Sequence, residues 1–197
     1  MEIVLATRNR KKVEEIKRIA EGMPVEVFTI DDFPGCPDVH EDGMTFEENA
    51  IKKALTVAQY TGKTALADDS GLEVQALEGA PGTLSARYAG DGADDRKNVA
   101  KLLQEMLDVP DEERGARFVC CLALAYPDGT IHTFTGYSEG HIGRELKGSN
   151  GFGYDPVFYP AGHIRTFAQM SDGEKDALSH RGEALKGLYN YLRNKTY

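Results

Sequence analysis

The chain has 197 residues, 41% of them hydrophobic and 28% charged, with a formal net charge of −9. That length fits one domain, or one domain of two lobes, able to bury roughly 70% of its unfolded surface without disulfides. The acidic balance argues against nonspecific binding to duplex nucleic acid or an anionic membrane, and the three cysteines, Cys36, Cys120 and Cys121, lack metal-type spacing and read as reduced core residues.

Glu2 to Ala6 is a short apolar run, followed by a helical pattern in which Val13, Ile16 and Ala20 share a face. The chain therefore opens strand, loop, helix. Val25 to Ile30 reads as a second strand, and residues 31–43 as a loop rich in Pro, Gly and Asp. Thr45, with Glu48 as its capping-box partner, starts a helix reaching about Tyr60. Thr64 to Ala67 is a brief strand that stops at Asp68-Asp69-Ser70-Gly71, and residues 72–77 continue extended.

Residues 79–92 form a loop, and Val99, Leu102, Leu103 and Met106 mark a helix over 94–107. Arg117 to Tyr126 and Thr130 to Glu139 are β-rich runs joined by Pro127-Asp128-Gly129, a turn that makes them an antiparallel pair. Residues 141–156 are a glycine-rich loop. One helix over 173–194, built on Ala177, Leu185, Leu188 and Leu192, closes the chain. The pattern predicts an α/β protein with a mixed sheet flanked by helices. No run of about 18 apolar residues suggests a membrane span, and no signal peptide is evident, so the expected location is cytoplasmic.

Four constellations carry chemistry. Thr7, Arg8, Asn9, Arg10, Lys11 and Lys12 lie between the first strand and helix, where free N–H groups and basic side chains converge; the loop suits a triphosphate or simply caps the helix. Glu41, Asp68 and Asp69 are hard oxygen ligands from separate segments, as Mg2+ prefers. Adjacent strand residues face opposite ways, so Asp68 and Asp69 share one ion only if the strand bends, and either also serves as a turn cap. The stretch 148–156 offers glycine backbone and the faces of Phe152 and Tyr154 for a base, or for core packing. Lys175, His180 and Arg181 are donors for phosphate or a purine carbonyl, or a solvated helix start. Neither a Walker A sequence nor a G-x-G-x-x-G is present.

Six blocks occur in order: A-T-R-N-R-K-K-V-E-E, E-D-G-M-T-F-E-E-N-A-I-K-K-A, A-D-D-S-G-L-E-V, P-G-T-L-S-A-R-Y-A-G, G-F-G-Y-D-P-V-F and S-H-R-G-E-A-L. Over nearly its full length the chain thereby resembles the inosine triphosphatase family, the Ham1-like pyrophosphatases of non-standard purine nucleoside triphosphates. The resemblance implies a single domain over 1–197, an elongated mixed sheet with helices on two lobes around a deep nucleotide-binding cleft, and cleavage of ITP, dITP and XTP to monophosphate and pyrophosphate. It places Thr7 through Lys12 and Lys53 on phosphate, Glu41 and Asp69 on Mg2+ with Asp69 as water-activating base, and Ser70 on the nucleotide. Phe152, Gly153, Tyr154 and Asp155 would line the base and sugar pocket, completed by Lys175, His180 and Arg181. A homodimer is implied, with no nucleic-acid or membrane partner.

Gln169 stands where the family commonly carries Glu, which puts a carboxylate role there in doubt. A Maf-type pyrophosphatase, a nucleotide sensor without turnover and a generic Mg2+ phosphatase are the alternatives. The G-F-G-Y-D-P and S-H-R-G blocks speak against the first, intact Glu41 and Asp69 against the second, and the family pattern against the third.

Overall fold

A computed structural model of the protein describes residues 1–195. Among these, six strands and five α-helices follow in the order β1 (Glu2–Leu5), α1 (Arg10–Ile19), β2 (Glu26–Thr29), α2 (Phe46–Thr61), β3 (Thr64–Val74), α3 (Asp95–Glu105), β4 (Gly115–Ala125), β5 (Ile131–Ile142), β6 (Phe158–Pro160), α4 (Asp172–Leu178) and α5 (His180–Lys195). The strands form one sheet in the order β2-β1-β3-β4-β5-β6. β1 pairs parallel with β2 and β3, while β5 and β6 pair antiparallel. The sheet is mixed and the class is α/β, as expected.

The chain divides into two compact units. The first holds residues 1–69, 120–136 and the segment from Arg181 onward; the second holds 70–119 and 137–180. Three of the four boundaries fall inside β3, β4 and β5, so neither unit is a continuous stretch of chain. In the first unit Ile3, Val4 and Leu5 are all buried, the pattern of a strand covered on both faces. Ile3 and Leu5 join Ile16, Leu66, Leu122 and Leu124, and the α5 stripe of Leu185, Leu188 and Leu192 packs into the same cluster. Each such leucine contributes about 1.5–3 kcal/mol on burial. The second unit's core gathers Leu72, Val99, Leu102, Met106, Ile142 and a ring cluster in which Phe118 lies 4.7 Å from Phe158 and 6.1 Å from Phe167.

Several local expectations are borne out. α2 starts on Thr45 with Glu48 completing the capping box, and β4 and β5 are sheet neighbours joined by a turn in which Tyr126 N donates to Thr130 O at 2.8 Å. The three cysteines are free and buried. Among the described residues no helix is long and apolar enough to cross a membrane.

Others are corrected. β3 runs unbroken through Asp68-Asp69-Ser70-Gly71 to Val74, because both buried carboxylates find cationic partners and need no turn. β5 extends to Ile142 and meets β6, a strand of three residues too short for any periodic signal. The closing helix is two helices, since Ser179 is extended with ψ 152°. Ala177 is exposed rather than core, and the buried residue of α4 is Lys175.

Candidate active site

The first group of site residues grows from the β1–α1 connection. Asn9 leaves the strand in an extended conformation and its side chain accepts from Lys12 N at 3.2 Å, starting α1. Thr7 Oγ1 accepts from Asn9 N at 3.2 Å, so both short polar residues shape the loop. Arg10 and Lys11 are exposed. Arg8 is directed away from its neighbours: it donates to Asp38 at 2.7 Å, to Asp31 at 3.1 Å and to the Cys36 carbonyl at 3.0 Å, pinning the loop before α2.

Asp68 and Asp69 face opposite ways, as strand geometry requires. Asp68 is fully enclosed. It accepts from Lys12, from Arg181 Nε at 2.9 Å and from the Cys120 thiol at 3.0 Å, and Arg181 also pairs with Glu15. Burial alone would push the Asp68 carboxyl up, but the Arg181 guanidinium and the Lys12 ammonium outweigh it and hold the group well below the usual carboxylate range. The same enclosure, with Asp68 alongside, pushes the Cys120 thiol well up, so it is a neutral donor. Arg181 is 1% exposed. It sits in this ion-pair network of the first unit, with both carboxylates as partners.

The opposite face of β3 carries the convergent cluster. Lys53 Nζ donates to Glu41 Oε1 at 2.8 Å, to Asp69 Oδ1 at 3.2 Å and to the Asp68 carbonyl at 2.7 Å. Asp69 Oδ2 accepts from Asn49 Nδ2 at 3.1 Å, and Asn49 Oδ1 accepts from Gly43 N at 2.8 Å. Asn49 therefore ties the base candidate to the Glu41 segment, and its amide orientation is fixed, since a flip would oppose donor to donor and acceptor to acceptor. Burial raises the Asp69 carboxyl, partly offset by Lys53 and Lys12. Burial would lower Lys53, but Asp69 and Glu41 hold its ammonium raised.

Two carboxylates from different segments thus already converge on one positive charge. Among the described residues no three His, Cys, Asp or Glu side chains form a complete protein cage. That donor set suits Mg2+, which takes one or two carboxylates and fills its remaining positions with water and phosphate oxygens. Ser70 follows Asp69 on β3 and is half-buried.

The second group lies in the second unit. Gly151 and Gly153 have φ of +71° and +60°, which lets the loop turn tightly around Phe152. Asp155 Oδ2 accepts from Phe152 N at 2.8 Å and from Lys175 Nζ at 2.7 Å, and Gly153 N donates to Asp95 at 2.9 Å. Tyr154 donates its hydroxyl to the Ser85 carbonyl at 2.8 Å, and burial raises its phenol. Lys175 lies 4.7 Å from the centre of the Phe152 ring, and His180 stacks on Phe118 at 4.7 Å with 11° between planes. α4 brings Lys175 here: Ser171 and Glu174 form its capping box, and Arg165 with the Ser171 N–H holds the Glu174 carboxyl down to about 2. Gln169 accepts from Thr166 N at 3.0 Å, a capping contact that an amide oxygen makes as well as a carboxylate would.

Glu15, Asn49 and Asp95 were not singled out by the sequence. Asn49 had a legible signal: with Lys53 it is a polar pair at i, i+4 on the face of α2 that carries Phe46, Ala50, Ala54 and Val57. Glu15 and Asp95 gave none.

Comparison with known proteins covers nearly the whole chain. The Ham1 family profile matches residues 3–191. The chain is 52% identical to the dITP/XTP pyrophosphatase of Desulforamulus reducens, covering 100% of this chain and 98% of that one. It is 50% identical to the dITP/XTP pyrophosphatase of Geobacter sulfurreducens, with 96% of each covered. A solved Ham1 protein from Coxiella burnetii superposes with a TM-score of 0.90 at 43% identity, covering 98% of this chain and 99% of that one.

Proposed function

We propose that this chain, which belongs to the Ham1 family, hydrolyses non-standard purine nucleoside triphosphates, dITP, ITP and XTP, to the monophosphate and pyrophosphate. The observation that carries the reading is the convergence of Glu41 and Asp69 on Lys53, with Lys12 held by Asp68 on the same strand. A triphosphate carries about four negative charges and needs such cations. Thr7, Asn9, Arg10, Lys11, Lys12, Lys53 and Ser70 take the phosphate end, and Arg8 joins them on exchanging a carboxylate partner for phosphate. Phe152, Gly153, Tyr154, Asp155, Lys175 and His180 take the base and sugar.

Arg181 we assign to holding Asp68, and through it Lys12, rather than to the base. Water attacks the α-phosphorus as the bond to the bridging oxygen of the pyrophosphate breaks. Asp69 accepts the water's proton, and Lys12 and Lys53 bind the oxygens on which charge grows. Mg2+ bound by Glu41 and Asp69 would neutralise phosphate charge and lower the pKa of water.

Selectivity against adenine follows from the purine 6-position, whereas guanine, which keeps the 6-oxo group, is refused at its 2-amino group by shape or an unmatched contact. A buried donor that meets the 6-oxo group of hypoxanthine or xanthine is left facing the 6-amino group of adenine, at about 1–3 kcal/mol for each such mismatch. The reading extends to a homodimer acting on the cytoplasmic nucleotide pool; sedimentation of the purified protein tests the first part. Product analysis with Mg2+ and equal ITP, XTP, dITP, ATP and GTP tests the chemistry. Monophosphate with pyrophosphate from the first three is expected, and diphosphate with orthophosphate would overturn it.

A further inference from the structure

Phe152 sits between two glycines of positive φ, so no neighbouring side chain restrains its backbone. Two carboxylates do. Asp155 holds the Phe152 N–H from within the loop, whereas Asp95 holds the Gly153 N–H from 58 positions away, on the first turn of α3. α3 is itself anchored in the core through Val99 and Leu102. Capping α3 is already the task of Asp94, whose side chain accepts from Lys97 N at 2.8 Å, so the Asp95 carboxylate is not needed for the cap.

We propose that Asp95 is a positioning residue that fixes the Gly151-Phe152-Gly153 tip to α3 and so presets the Phe152 ring for the purine base. The proposal rests on the assignment of this loop to the base. A preset ring removes part of the ordering that binding would otherwise require, and a tip that kept Asp155 on the Phe152 N–H and Lys175 over the ring but lost its tie to α3 would lose part of that advantage. Asp95 touches neither substrate nor metal in this scheme. Its effect falls on ground state and transition state alike, so its loss raises KM and spares kcat.

The test compares Asp95→Ala, Asp95→Asn, Phe152→Ala and the Asp95→Ala/Phe152→Ala pair, with Mg2+ and ITP as substrate. Hydrogen exchange over residues 151–155 is measured on the same full-length proteins without nucleotide. Asp95→Ala is expected to raise KM about 10- to 20-fold, the low end of the scale of one charge-assisted hydrogen bond because this one is exposed, with kcat nearly unchanged and faster exchange in the tip. Asp95→Asn keeps an acceptor oxygen and should restore KM to within about twofold. In the Phe152→Ala background the Asp95→Ala effect should vanish, because the ring it positions is gone.

If Phe152→Ala raises KM while Asp95→Ala leaves both KM and exchange unaltered, the Asp95 proposal fails by itself. It fails equally if the two effects multiply in the double variant. If Phe152→Ala leaves KM unaltered, the loop does not serve the base, and both the assignment and the proposal fall.

Discussion

Asp69→Asn is expected to lower kcat for ITP hydrolysis roughly 10²- to 10⁴-fold, the contribution of a positioned general base, while nucleotide affinity measured by calorimetry changes by less than about threefold. The geometry behind this is specific. Asn49 holds Oδ2 of Asp69 at 3.1 Å and Lys53 approaches Oδ1 at 3.2 Å, so the carboxylate is oriented from both sides. An amide in its place keeps the shape but accepts no proton, and it brings a second NH2 group against Asn49 or Lys53. Lost affinity with a small change in kcat would make Asp69 chiefly a holder of Mg2+ and phosphate. Unimpaired kcat would remove it from the chemistry altogether.

Local order was legible where one segment decides it. The Thr45 and Glu48 capping box, the apolar run from Glu2 to Ala6 and the Pro127-Asp128-Gly129 turn each act within a few residues, and each produced the expected element. The candidate site was legible as ordered blocks, but the blocks do not reveal which side chains meet. Arg181 and Glu15 are 166 positions apart, and Arg181 and Asp68 are 113 apart. No local pattern encodes such pairs.

Arg114 shows the same limit: it is 3% exposed and donates to the carbonyls of Met106, Val109, Ile142 and Gly143, closing the end of α3 from a position that reads simply as a basic residue. Where a polar residue interrupts an apolar helical face, as Asn49 and Lys53 do in α2, the sequence does announce it. Burying an amide and an ammonium there is costly unless each has partners, and here each has them.

The Arg181 network gives the largest expected effect on stability. Arg181→Met keeps much of the side-chain volume but leaves Asp68 and Glu15 as buried carboxylates that have lost their shared cation. Removing one partner of a buried pair costs about 3–5 kcal/mol, which in a protein of this size lowers Tm by roughly 6–20 °C. The pH dependence follows from the sign of the Asp68 shift. In the wild type the carboxyl lies well below the ordinary value, so its stabilisation is fully present above the unfolded pKa near 3.9 and is lost as pH falls toward the folded one. Without the guanidinium only Lys12 and the Cys120 thiol remain against the desolvation that opposes ionisation, so the carboxyl is expected to rise and its charge to stabilise the fold less at neutral pH. The gap between wild type and variant should therefore be widest near pH 7.5 and narrow as the medium is acidified toward pH 4.5, in urea unfolding of the metal-free proteins. A gap that stays constant with pH, or a variant as stable as the wild type with lost preference for ITP over ATP, would return Arg181 from the fold to the reading of the base.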